Sequence, residues 1–264
     1  MATKKRVQRK RSTHRRKKAF KWKKLLSWVV SLVFFLVLWS KLSPSTFHAA
    51  MSWLGITQSA VKGDGSYDGI DVSKHQGKID WEAVSHDGNI QFVYIKATEG
   101  ATMLDKRYER NIRGARDAGM KVGSYHFFTS RRTAEQQFEN FRKHVRKDWQ
   151  DLIPMVDVEE SGCRGASRQE LQKSLLEFMQ LMKKEYGKYP LLYSQYRFYN
   201  EKLAPEFNKY FIFIARYSKS EPTLRGNGKY NIWQYSERGH VEGIKENVDL
   251  DRFANGTTLS DILY

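Results

Sequence analysis

The chain has 264 residues and a formal charge of +17 at neutral pH, a balance that taken whole would suggest a nucleic-acid partner. The charge is local, however: thirteen of the 46 Lys and Arg residues fall within residues 1–24, where no acid occurs, leaving 33 basic against 29 acidic residues, about +4, for the remainder. The single cysteine, Cys163, excludes an intrachain disulfide and any zinc site built on several cysteines.

Residues 1–24 form a basic tail that abuts an apolar run. Between Lys24 and Lys41 sixteen residues carry no charge; Leu42 extends the run, the two lysines can snorkel, and Trp28 and Trp39 suit the membrane interfaces. Residues 25–42 are therefore expected to be a single transmembrane signal anchor. A cleaved signal peptide is the rival reading, disfavoured by Lys41-Leu42-Ser43-Pro44 and by the poor cleavage pattern of His48-Ala49-Ala50. The positive-inside bias keeps the tail in the cytoplasm and puts the rest outside the cytoplasmic membrane, in a periplasmic or extracellular space. Residues 1–42 would meet membrane lipids, and no nucleic-acid partner is expected. Residues 43–66, ending Lys62-Gly63-Asp64-Gly65-Ser66, read as a linker.

Residues 67–264 alternate strand and helix patterns. Short apolar runs at 67–72, 92–97, 121–126, 153–158, 191–194, 211–216, 231–235 and 247–250 predict eight strands. Helical stripes cover 106–118, closed by Gly119, and 133–146, with Ala134, Phe138, Phe141 and Val145 on one face. A third covers 167–186, where Ser167 and Glu170 form a capping-box pattern and Leu171, Leu175, Phe178, Met182 and Tyr186 line up. Repeated strand-helix order implies a parallel sheet, and eight strands suggest closure. Helical periodicity fades after Leu203. The expected fold class is α/β, a modified TIM-like barrel with regular β/α units first and a meander of strands last.

Acids mark the strand ends. Asp71 closes the first predicted strand, Asp157 and Glu159 the fourth, and Asp249 is placed at the end of the eighth, so all four are expected on the rim that carries active sites in such barrels. Asp157 and Glu159, at i and i+2, share one face. Paired carboxylates in a cleft divide acid and base work in glycosidases and aspartic proteases. Aromatics gather at the same ends: Tyr125 with His126, then Tyr193, Tyr217, Trp233 and Tyr235, a set suited to stacking on sugar rings. Ser73 and His75 lack the context of a nucleophile and base. No clustered His motif calls for a metal, and no Gly-rich phosphate loop occurs, so neither metal nor cofactor is expected.

At these residues the chain resembles glycoside hydrolase family 25, the lysozyme family of N-acetylmuramidases. The resemblance rests on Gly69-Ile70-Asp71-Val72-Ser73-Lys74-His75-Gln76-Gly77, Tyr94-Ile95-Lys96-Ala97-Thr98-Glu99-Gly100, Gly123-Ser124-Tyr125-His126-Phe127, Pro154-Met155-Val156-Asp157-Val158-Glu159, Ile232-Trp233-Gln234-Tyr235-Ser236 and Val248-Asp249-Leu250. These segments run in family order over about residues 67–256, and the resemblance implies a modified β/α barrel with about five β/α units followed by three strands. The resemblance implies hydrolysis of the β-1,4 bond between N-acetylmuramic acid and N-acetylglucosamine in peptidoglycan glycan strands, with retention through substrate assistance. It makes Glu159 the general acid and Asp157 the group that orients the substrate's 2-acetamido arm, with Asp71 and Asp249 lining the site. Tyr125, Tyr193, Tyr217, Trp233, Gln234 and Lys96 would bind substrate. Two departures stand out: Asp251 where the family commonly carries Asn, and a basic, glycine-containing loop at 218–229. A catalytically lapsed peptidoglycan-binding module and a glycosidase for another N-acetylated polysaccharide are the alternative functions.

Overall fold

Eight strands close into a barrel in the computed structural model, which describes residues 67–264. The tail, anchor and linker expected over 1–66 lie outside the described residues; among those described, no helix is long and apolar enough to cross a membrane. The ring comprises β1 (Gly69–Val72), β2 (Phe92–Glu99), β4 (Val122–Phe127), β5 (Met155–Asp157), β6 (Leu191–Gln195), β7 (Ile212–Ala215), β8 (Ile232–Gly239) and β9 (Val248–Phe253). It is closed by β1 pairing with both β2 and β9. A two-residue strand, β3 (Met103–Leu104), folds back antiparallel on β2 outside the ring.

All eight expected strands are present, but the last differs in direction. β1 through β8 are parallel around the ring, whereas β9 runs antiparallel to both β8 and β1. The terminal meander is thus confined to β9 and its neighbours. β7 and β8 are parallel and joined by the loop 216–231 without a helix.

Helices pack outside the ring: α1 (Trp81–Ser85), α2 (Tyr108–Asp117), α3 (Ala134–His144) and α4 (Arg168–Tyr186), then a short helical stretch at 196–203 and a final turn α5 (Leu259–Ile262). The first four and the stretch at 196–203 give five β/α units, as the resemblance implied, although periodicity marks only three of the helices. α4 starts where Ser167 caps the Glu170 N–H and the Glu170 carboxylate accepts from the Ser167 N–H at 3.1 Å. It stops at Gly187, whose φ of 82° is left-handed.

Strict alternation along the strands makes two apolar layers. Outward residues such as Ile70, Val93, Ile95, Val156, Leu192 and Ile214 meet the helices, including the α4 stripe Leu171, Leu175, Phe178, Met182 and Tyr186. Inward residues Phe92, Tyr94, Met155, Leu191, Phe213 and Ile232 fill the barrel, with Ile262 beside them. Gly69 and Gly123 make room for the rings of β2: a Cβ there would stand 2.3 Å from Phe92 and 2.5 Å from Tyr94. With its interior packed, the barrel leaves its polar inward residues for one end.

Candidate active site

That end holds a groove of about 370 Å³ lined by Asp71, Ser73, His75, Gln76, Lys96, Tyr125, Phe127, Met155, Asp157, Glu159, Tyr193, Gln195, Tyr217, Gln234, Glu237 and Asp249. The four expected acids all reach it, though Asp249 does so by a different route. It lies near the start of the reversed strand β9, directly opposite Asp71 of β1. The parallel-strand expectation that it closes its strand is corrected accordingly.

Asp157 is the last residue of β5, and Glu159 stands two residues on, at the mouth. Between them Val158 is buried on the outer side, with its N–H bonded to the Tyr193 carbonyl at 3.0 Å. This holds the extended run past the strand end and keeps both acids facing inward. Ser161 Oγ donates to Glu159 Oε2 at 3.3 Å. Asp157 Oδ1 is buried without a hydrogen-bond partner. Glu160 is exposed and turned from the groove.

Lys96 enters from β2 and is held by Glu99 at 2.8 Å, its Nζ 4.5 Å from the centre of the Phe127 ring. Burial raises Asp157 well above the usual carboxylate range; nearby Glu159 adds to this and Lys96 opposes it. Glu159 is raised too, again mainly by burial, against the pull of Ser161 and Lys96. Two carboxyls this close titrate as a pair, and burial holds the pair above the usual carboxylate range.

The opposite wall is organised by a carboxamide. Gln234 Nε2 donates to Asp71 Oδ2 at 2.6 Å, while Gln234 Oε1 accepts from Tyr193 and Tyr217 hydroxyls at 2.9 and 2.7 Å. Both lone pairs of that oxygen are used within the protein, so Gln234 lines the groove and positions its neighbours. Burial pushes Asp71 up to about 7, with Gln234 lowering and Glu159 raising it. Burial, then Asp71 and Glu237, push Asp249 up to about 9. Two carboxyls facing each other across adjacent strands titrate as a pair and hold a proton at neutral pH. Burial, and then the surrounding Asp71, Asp157 and Asp249, raise the Tyr125 phenol well above its usual range.

Of the aromatics expected to bind substrate, Tyr125, Tyr193 and Tyr217 line the groove, and Tyr217 is 47% exposed. Trp233 does not. Gln234 points inward, so its neighbour points outward, where Trp233 Nε1 bonds the Arg216 carbonyl at 2.9 Å within the outer apolar layer. Tyr235 shares that layer. His126 faces outward as well, fully buried against Thr98 and Gln137 and held neutral, its pKa lowered to about 3 by burial. Glu237 is a fifth acid that the sequence reading passed over; it follows a bulge in β8, whose pairing continues to Gly239. Among the described residues no group of His, Cys, Asp and Glu is arranged to hold a metal ion.

A closed β/α barrel with a carboxylate pair and an aromatic flank at one mouth has the architecture of a glycoside hydrolase. Residues 70–244 match the family model of glycosyl hydrolases family 25. The protein YegX of Escherichia coli K12 is 38% identical over 193 residues, 72% of this chain and 70% of that one. The autolytic lysozyme of Clostridium acetobutylicum is 32% identical over 188 residues, 71% of this chain and 56% of that one. A solved family 25 glycosyl hydrolase from Bacillus anthracis superposes with a TM-score of 0.67 at 31% identity, covering 76% of this chain and 94% of that one. The chain belongs to glycosyl hydrolases family 25 and is a glycoside hydrolase.

Proposed function

We propose that the chain is a peptidoglycan hydrolase of the N-acetylmuramidase type, cleaving the β-1,4 bond between N-acetylmuramic acid and N-acetylglucosamine. The observation that carries this reading is Asp157 Oδ1, a buried acceptor with no donor, set beside Glu159 in a groove. An unsatisfied buried acceptor costs about 1–3 kcal/mol, and the N–H of a 2-acetamido group would supply the missing donor. Family membership and the relative named as an autolytic lysozyme support the same substrate class.

In this reading Glu159 donates its proton to the glycosidic oxygen as the C1–O bond breaks. Covering the groove with sugar removes water from Glu159, adds to its burial and favours the protonated form it needs. The acetamido oxygen attacks C1 while Asp157 accepts the amide N–H, drawing electron density toward that oxygen. The resulting ring is opened by water, which Glu159, now a carboxylate, deprotonates. Retention follows because C1 is inverted twice; direct attack by water would invert it once. Tyr217 offers an exposed ring for stacking, and Gln234 holds Asp71 toward the sugar.

The test is digestion of purified peptidoglycan by wild type and Glu159→Gln, with products identified by mass spectrometry and the first-formed anomer by NMR. Muropeptides with a reducing N-acetylmuramic acid end, absent for the variant, are expected. Cleavage at the other glycosidic bond, cleavage by the variant, or activity only on chitin-like polymers overturns the reading. The polybasic run and the apolar segment at 25–42 support a single-pass signal anchor with the barrel outside the cytoplasmic membrane and residues 1–42 on anionic lipid. Protease added to intact spheroplasts is expected to digest the barrel and spare the tail.

A further inference from the structure

Asp251 lies outside the groove lining, yet it is the most deeply buried acid near it, with no exposed surface and no hydrogen-bond partner for either carboxyl oxygen. It shares a face with Asp249 two residues earlier, so it points into the barrel, one step below the mouth. In register it lies opposite Gly69 of β1 and Gln234 of β8. The nearest donors bond elsewhere. Gln234 Nε2 bonds Asp71, and the Tyr94 hydroxyl donates to the Ile153 carbonyl at 3.0 Å.

We propose that Asp251 is a positioning residue that stands in the barrel wall as the uncharged acid, and that its neutrality is what allows Asp71 to ionise above it. The titratable groups facing it are Asp71 from β1, Tyr94 from β2 and Asp249 on its own strand, and none of the three is a cation. An ionised carboxylate there would have neither a counter-charge nor a donor, whereas the neutral acid gives up far less on leaving water. Burial first, then Asp71 and Asp249, raise its pKa well above the carboxylate range, in agreement with the packing. Ionising Asp251 would put a third negative charge beside Asp71 and Asp249 and return the proton to that pair.

The sign for stability follows. The folded chain keeps a proton on Asp251 that the unfolded chain releases near its usual pKa of about 4, so this residue makes stability fall as pH rises through that window. Asp251→Asn imitates the neutral form and cannot ionise. In urea unfolding between about pH 5 and pH 7 the wild-type unfolding constant is expected to rise about tenfold more per pH unit than that of D251N. Asp251→Ser serves for the same comparison should D251N not fold. The infrared difference spectrum of wild type minus variant at neutral pH is expected to show a protonated-carboxyl stretch. Equal unfolding slopes, or a carboxylate band in its place, overturn the proposal. The part concerning Asp71 rests on the muramidase reading: D251N, which copies the neutral acid, should leave the pH dependence of KM in place, and a profile displaced to lower pH, the mark of a negative charge lost beside Asp71, overturns it. The unfolding and infrared arms need no substrate, so a failure of the muramidase reading would leave them standing.

Discussion

The two walls of the groove carry acids in pairs but treat them differently. On the β5 side, Asp157 and Glu159 share a cation, Lys96, and Glu159 reaches the mouth where water and substrate meet it. On the β1–β9 side, Asp71 and Asp249 face each other with a carboxamide as the bonded partner, and Asp251 lies beneath them. Charge on the first wall is tuned by the Lys96 ammonium and by access, which under the proposed function lets a proton be given and retaken within a turnover. Charge on the second is tuned by burial and by shared protons, which suits holding a sugar hydroxyl in place. Under the proposed function the contrast would place chemistry on β5 and binding geometry on β1 and β9.

The strongest way to break that assignment is to neutralise one acid on each wall. Glu159→Gln should lower kcat by about 10²–10⁴-fold, the usual worth of a general acid, with binding of undigested glycan strands retained. Asp71→Asn should act mainly through KM, because it leaves both β5 acids in place. Release of reducing ends measured against substrate concentration separates the two; an equal kcat loss for Asp71→Asn would erase the division between walls.

Next in size is Gln234→Met, which removes one donor to Asp71 and one acceptor for two tyrosines. Buried polar groups left without partners should cost about 1–3 kcal/mol in unfolding free energy. Asp71, relieved of the bond that lowers its pKa, should hold its proton to higher pH. Urea unfolding and a pH series of KM read both effects, and a shift confined to kcat would place Gln234 on the wrong wall.

Lys96→Met sharpens the comparison from the other side. Lys96 lowers both Asp157 and Glu159, so its removal raises both. The acid limb of kcat/KM, where Asp157 must lose its proton, and the alkaline limb, where Glu159 must keep one, should each move to higher pH. A one-unit displacement is a factor of about ten at fixed pH on either limb. A profile that only falls in height would mean that Lys96 contacts substrate without tuning the pair.

The first wall was the more legible in sequence. Asp157-Val158-Glu159 follows an apolar run, and the i, i+2 rule alone places both acids on one face. The second was reached through a wrong premise: strand direction leaves no mark in Val248–Phe253 itself, and Asp249 joins the rim because β9 is reversed. Inward and outward faces of β8 could not be told apart either, since both sides of a barrel strand are covered and Ile232-Trp233-Gln234-Tyr235 shows no clean alternation of polarity. Glu237 was missed because the seventh expected strand stops at residue 235, although antiparallel pairing with β9 carries it on to Gly239. α1 has five residues and β3 two, too few for any periodicity to register.

The smallest expected effect tests the facing of β8 directly. Trp233→Phe removes the Nε1 bond to the Arg216 carbonyl and some volume from the outer layer, so it should lower stability by about 1 kcal/mol, the net worth of one hydrogen bond, and leave KM unchanged. Tyr217→Ala strips the exposed ring at the groove and one bond to Gln234, so it should raise KM with little change in unfolding. Measured together, the pair crosses over: one variant moves only the urea midpoint and the other only the substrate dependence. A rise in KM for Trp233→Phe would mean that the outer face of β8 communicates with the sugar through Gln234, the residue between the two layers, and the separation of barrel core from groove wall would have to be redrawn there.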